Sequence, residues 1–191
     1  MSKKGVFDID KGWSKVMREM KQAASLTVEV GVQAGEATKD GFDMARLAAL
    51  HEFGDSWDTK VTHYKKVSAK GDRFLRKGRF VKKSKANYAE SFNSTITIPS
   101  RPFMRQSYDQ HKDELERFMQ DVGDRITQGK LTADKGLDLV GQKMTGIIQK
   151  NIVDGGWAPN APGTKAQKGS SQPLIDTGRL RQSIRHVVKP K

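Results

Sequence analysis

Apolar residues recur at two different periods along this chain, and the periods mark out its elements. Ile9, Trp13, Val16, Met17 and Met20 return every three or four positions, which predicts an amphipathic helix over residues 8–24. The next seven residues, Leu26-Thr-Val-Glu-Val-Gly-Val32, alternate apolar with polar or small, the pattern of a half-buried strand. A turn-rich stretch leads into a short helix over 42–53, with Met44, Leu47, Ala48 and Leu50 inward and Gly54 placed as its cap. A second short strand is expected at residues 95–98, closed by Pro99 and Pro102. Tyr108, Leu115, Phe118, Met119, Val122 and Ile126 then predict a long helix over 104–128, ended by Gly129. Thr132 is placed to cap another, with Leu137, Val140, Met144, Ile147, Ile148 and Ile152 on its stripe and Gly155-Gly156 as its stop. A helical turn near 177–183 and a strand at 184–188 finish the chain. Strands interspersed with longer helices give an α+β fold: a small, mostly antiparallel sheet packed against two long helices.

Two segments break this regularity. Residues 55–94 scatter aromatic and aliphatic residues among lysines and arginines, which reads as a protruding basic arm or hairpin inserted into a single domain spanning 1–191. Residues 155–176 are rich in Gly, Pro, Ser and Lys, and precede a C-terminal anchor over 177–191. Long loops without structure of their own are uncommon and usually functional. This one is expected to lie on a partner, so that cutting after Gly155 leaves a folded body.

Charge sharpens the division. The net charge is +13, yet residues 55–91 hold 11 Lys and Arg against 4 Asp and Glu, residues 156–191 hold 7 against 1, and the remainder holds 17 of each. The excess therefore lies in the two irregular segments, which favour acidic partners, either nucleic acid or an acidic protein surface. In the arm, Arg73, Arg76, Lys77, Arg79, Lys82 and Lys83 are the candidate contacts, with Tyr64, Phe74, Phe80 and Tyr88 interleaved. In the tail the candidates are Lys165, Lys168, Arg179, Arg181 and Arg185. The absence of cysteine excludes disulfides, thiolate metal sites and a cysteine nucleophile. With no apolar run near the roughly 20 residues of a membrane helix and no signal peptide, the sequence predicts a soluble chain made in a cytoplasm.

Catalytic patterns fail one by one. Asp176-Thr177-Gly178 mimics the aspartic-protease triplet, but only thirteen residues follow it, too few for a flap and cleft; Asp176 or Thr177 reads better as a helix cap. Gly163 to Ser170 has its lysine before the glycine, the wrong order for a phosphate loop. His51-Glu52 lacks a second histidine four residues on, and His51, His63, His111 and His186 show no metal-ligand spacing. No catalytic, cofactor or metal site is expected.

Three stretches taken together resemble the tail-completion or neck proteins of long-tailed double-stranded-DNA bacteriophages, also grouped as virion morphogenesis proteins. They are Leu47-Ala-Ala-Leu-His51-Glu52-Phe53-Gly54, Ile98-Pro-Ser-Arg101-Pro102-Phe103-Met104, and Gly156-Trp157-x-Pro159 followed by Thr164 and Lys168-Gly-Ser, then Pro173-Leu-Ile-Asp176-Thr177-Gly178-Arg179-Leu180 with Ser183-Ile184. Residues 55–94 are longer and more basic than the usual link between the first two.

The resemblance implies a structural role and no reaction. It implies a homo-oligomeric ring, six-fold to match the tail, at the head–tail junction of the virion and assembled in the host cytoplasm. The implied neighbours are a tail terminator and a head-closure protein, with non-specific contact to packaged DNA and no membrane. Arg101, Pro102 and Phe103 are expected to fix the start of the long helix. Trp157 and Pro159 either plug a neighbouring subunit's groove or pack within their own chain. A non-specific nucleic-acid-binding protein using the basic arm is the alternative.

Overall fold

A computed structural model describes residues 12–33, 41–65, 88–168 and 170–191. The fold is α+β. In chain order the elements are α1 (Trp13–Ser25), β1 (Leu26–Val32), α2 (Met44–Phe53), β2 (Asp55–Lys65), β3 (Tyr88–Ile98), α3 (Phe103–Thr127), α4 (Ala133–Asp154), α5 (Pro162–Lys168), α6 (Arg179–Gln182) and β4 (Ile184–Pro190). They form two compact units, one of residues 1–53 with Ser100–Lys191, the other Gly54–Pro99.

The larger unit is a two-stranded antiparallel sheet, β1 with β4, packed under the α3–α4 helical pair. Alternation works as the sequence dictates: Val28, Val30 and Val32 stand opposite Val188, His186 and Ile184, so one face of the pair is turned to the helices. Two apolar clusters result. Met44, Ala48, Phe103, Ile148, Ile152, Leu174, Leu180 and Ile184 form the larger, and Val122, Ile126 and Val140 the smaller. Among the described residues no helix is long and apolar enough to cross a membrane.

The predicted stripes of α3 and α4 are largely inward, with Leu115, Val122, Ile126, Val140, Ile148 and Ile152 buried, whereas that of α1 is partly exposed. In α1, Trp13 is 68% and Met20 43% exposed. The reason is polar: Glu19 Oε2 accepts from the Ala133 N–H at 2.8 Å and Gln22 Nε2 donates to Asp134 Oδ2, so the Glu19–Gln22 side of α1 faces the body. That same contact satisfies the start of α4, where Thr132 holds the N-cap position but makes no side-chain cap bond. In α3, Tyr108 and Met119 are exposed, while Phe103, Ser107, Leu115, Val122 and Ile126 are buried. At the last helix, Gly178 takes the N-cap position at φ 78° with no side-chain cap bond, so neither Asp176 nor Thr177 caps it.

The tail packs on its own domain, which corrects the expectation that it would not. Residues 162–168 form α5, Leu174 and Leu180 are buried, and β4 completes the sheet. The sequence pattern missed this because Leu174, Leu180 and Ile184 are isolated apolar residues with no period of their own. The positive charge of residues 156–191 consequently belongs to the folded unit.

Close packing of α4 on β4 is set at Gly141. A Cβ there would lie 2.6 Å from His186 Cγ and 2.9 Å from His186 Cβ. Gly146, in the same helix, has nothing within 4 Å of that position. Gly146→Ala should therefore stabilise the protein by up to about 1 kcal/mol through helix propensity. Gly141→Ala should destabilise it by about 1–3 kcal/mol, overpacking outweighing the same propensity gain. Urea denaturation of the two variants gives opposite signs on this account; equal shifts would contradict it.

The smaller unit is a hairpin of 11-residue strands paired from Asp55↔Ile98 to Lys65↔Tyr88. Strand β3 extends well beyond the predicted 95–98. Arg73, Arg76, Lys77, Arg79, Lys82 and Lys83 lie outside the described residues.

Candidate functional site

The three stretches that carry the resemblance meet around one buried cation. Helix α2 ends in His51-Glu52-Phe53, and Gly54 follows at φ 73°, a left-handed conformation open to glycine. This delivers His51 and Glu52 beside the start of α3. There the backbone is tied twice: the Arg101 N–H donates to the His51 carbonyl at 2.6 Å, and Ser100 Oγ to the Glu52 carbonyl at 2.8 Å.

Glu52, only 7% exposed, then does what α3 cannot do for itself. The N-cap residue of α3 is Pro102, with no side-chain cap bond. The Glu52 carboxylate accepts from both the Met104 and Arg105 N–H groups at 2.9 Å, placing an anion at the positive end of the helix. Phe103 is fully buried in the larger cluster. Its carbonyl takes Asn151 Nδ2 at 3.1 Å and Ser107 Oγ at 2.6 Å. Phe53 is 67% exposed, with the Arg105 guanidinium 5.7 Å from its ring centroid.

Arg101 is 3% exposed. Its Nε donates to the Ala158 carbonyl at 2.9 Å, and its NH2 to the Pro159 carbonyl at 3.3 Å and Asn160 Oδ1 at 3.4 Å. Its NH1 faces His51 Nδ1 at 3.3 Å. A guanidinium only donates, so this contact assigns His51 Nδ1 as an unprotonated acceptor. Burial, then the charges of Arg101 and Lys168, lower the His51 pKa to about 4.

The sign follows directly. The unfolded histidine titrates near 6.5 and the folded one near 4, so the unfolded chain binds the extra proton between those values. His51 thus contributes stability that is complete above pH 6.5 and is lost on acidification toward pH 4, by up to about 3 kcal/mol. His51→Gln keeps an acceptor and removes the titration. Stability measured from pH 7.5 to 4.5 should fall less steeply in that variant, and parallel curves would contradict the assignment.

The loop after α4 closes over the guanidinium. Trp157 packs on the larger cluster, and its Nε1 donates to the Asn151 carbonyl at 3.1 Å. Gly155 sits so close to the Trp157 ring that a Cβ would enter it. Trp157 thus packs within its own chain, half-buried. Pro159 is exposed, and serves through its carbonyl. Asn160, buried, and Lys168 both donate to the Gln172 carbonyl, at 3.2 and 3.1 Å. Burial lowers the Lys168 pKa, Arg101 adds to this, and Asp176 opposes it.

Beside this cluster lies a cavity of about 300 Å³, floored by Met44, Leu47, Leu174 and Leu180 and rimmed by His51, Lys168, Asp176 and Arg179. Leu174 reaches the floor from a left-handed backbone (φ 59°), an unusual conformation for a non-glycine residue. Asp176 and Thr177 are exposed at the rim, as are Lys165, Arg179, Arg181 and Arg185 on the surface. Asn151 and Asn160 are the residues that sequence reasoning missed: single polar side chains inside apolar or loop stretches, with no spacing to betray them.

Every buried polar side chain among the described residues finds a partner. What the arrangement does chemically is hold α2, the start of α3 and the loop after α4 as one piece. No family model, curated protein or solved structure matches this chain.

Proposed function

We propose that this chain is a structural protein of a long-tailed double-stranded-DNA bacteriophage, a neck or tail-completion protein that forms a ring at the head–tail junction. One observation carries the reading. The three sequence stretches that resemble that family, far apart along the chain, converge on Arg101 through His51, Asn160 and two loop carbonyls. Residues whose bonds are spent on architecture suit a part that is built into a particle rather than one that turns over a substrate.

The rest of the molecule is consistent with such a part. A separate hairpin leaves the body at Gly54 and returns at Pro99, and its intervening residues 66–87 hold 9 Lys and Arg against 1 Asp. So basic a segment attracts acidic faces of adjoining rings, the tail terminator and the head-closure protein in this reading, and repetition around a ring multiplies weak contacts. Packaged DNA is a further acidic neighbour.

Phage particles assembled without the protein should yield filled heads and separate tails, with joining restored by adding the purified chain. Joined, infectious particles in its absence would overturn the proposal. The same charge count favours the second reading, a non-specific nucleic-acid-binding protein. Tight DNA binding that collapses between low and moderate salt, in a chain absent from purified virions, would select it.

A further inference from the structure

Arg101 is a buried cation that no described carboxylate neutralises. Its side-chain partners are all uncharged: the Ala158 and Pro159 carbonyls, Asn160 Oδ1 and His51 Nδ1. None of the ion pairs among the described residues includes it. Glu52, the buried carboxylate of the same cluster, is turned to the first N–H groups of α3. Dipoles satisfy the guanidinium's donors but leave a full charge uncompensated, whereas buried charges are as a rule paired. Burial lowers the Arg101 pKa, with no neighbouring anion to oppose it.

The field of that cation reaches the cavity beside it. His51 and Asn160 both accept from Arg101, and both line the cavity. A histidine that accepts at Nδ1 carries its proton on Nε2, and no described residue accepts from the His51 Nε2–H. Lys168 spends one N–H on the Gln172 carbonyl at 3.1 Å, which leaves two further donors on its ammonium. Arg179 adds another cation, and Asp176 is the single carboxylate among the lining residues. The floor is aliphatic: Met44, Leu174 and Leu180 are buried and Leu47 half-buried.

We infer that this cavity binds a small apolar monocarboxylate, its head group on Lys168 and the His51 Nε2–H and its body on the aliphatic floor, so that the ligand is the counter-ion Arg101 lacks. Chemistry narrows the class. An inorganic anion supplies the charge but leaves the aliphatic floor against water. An uncharged apolar molecule does the reverse. A nucleotide is too large, because a cavity of about 300 Å³ takes on the order of ten non-hydrogen atoms at the ~30 Å³ share of a water molecule. A second negative charge on the ligand would be brought toward Asp176. A free short-chain acid and a polypeptide ending in an apolar residue present the same group. The site goes beyond the ring reading and stands without it.

The test uses the full chain and sodium hexanoate, read by calorimetry, thermal melting and the imidazole nitrogen resonances of His51. Hexanoate should bind one to one, raise the melting temperature and shift the His51 Nε2 resonance. It should bind about tenfold more tightly than butanoate, because two more methylenes are buried. Hexanol, which lacks the charge, and inorganic phosphate, which lacks the body, should each bind at least tenfold more weakly. Lys168→Met should weaken hexanoate at least tenfold with its circular dichroism unchanged. If that variant unfolds, Leu47→Gln takes its place under the same expectation. Acetyl-Gly-Leu and its carboxyl-terminal amide separate the two sources. Binding of the free peptide at hexanoate strength assigns a chain terminus, binding of hexanoate alone assigns a free acid, and either result upholds the site. The inference is overturned if neither carboxylate binds, if the amide binds as well as the free peptide, if phosphate matches hexanoate, or if the folded variant binds hexanoate unchanged. None of these results bears on the ring reading.

Discussion

A chain ending at Gly155 is expected not to fold. Strand β1 would lose its only partner among the described residues, because β4 pairs with it over all seven positions from Leu26↔Pro190 to Val32↔Ile184. The larger cluster would lose Leu174, Leu180 and Ile184, which are 7%, 5% and 1% exposed. Three such side chains contribute on the order of 6 kcal/mol of burial, against a whole-domain stability of roughly 5–15 kcal/mol. The truncation also strips Arg101 of three acceptors, at Ala158, Pro159 and Asn160, leaving a cation in a half-dismantled core. Thermal melting of the 1–155 fragment followed by circular dichroism should show no cooperative transition. A cooperative melt near that of the full chain would mean that the tail merely rests on the body.

Arg101→Lys is the second large effect, and it tests geometry at constant charge. The guanidinium reaches its acceptors through three nitrogens at once; a lysine ammonium is a single point that cannot span them. The variant leaves loop carbonyls short of donors inside a closed site. A loss of about 3–5 kcal/mol is expected, as for other broken buried charge networks. A native state that survives should show faster exchange at the Trp157–Asn160 loop and at the Arg101 amide, which donates to His51. A stability change below about 1 kcal/mol would show that the cluster is solvated and that Arg101 is a surface cation in practice.

Long amphipathic segments were the legible part of this chain. β1 was read to the residue, and α3 and α4 to within about a turn, because burial of one face writes itself into the sequence as a period. The face of α1 was not, since polar contacts such as Glu19 to Ala133 set its rotation and leave no periodic trace. Residues 155–176 read as loop because Pro, Gly and Ser dominate them, and the few buried positions there, Asn160 and Leu174, are anchored by tertiary partners far away in sequence, Arg101 for Asn160 and the larger cluster for Leu174. The same holds at the site. Arg101 and Glu52 could be singled out by resemblance, but nothing local announces that a carboxylate at the end of α2 caps a helix beginning fifty residues later. The hairpin was half legible: Thr95-Ile-Thr-Ile98 alternates cleanly, whereas the facing strand mixes Asp, Lys and His into its alternation.

These features describe a unit locked by Arg101 and a second unit that is a two-stranded hairpin. Cryo-electron microscopy of intact virions tests that description most directly. The account predicts a cyclic ring of this chain between head and tail, with Trp157 folded into its own subunit. A neck without this chain, or copies scattered along the packaged DNA, would contradict it.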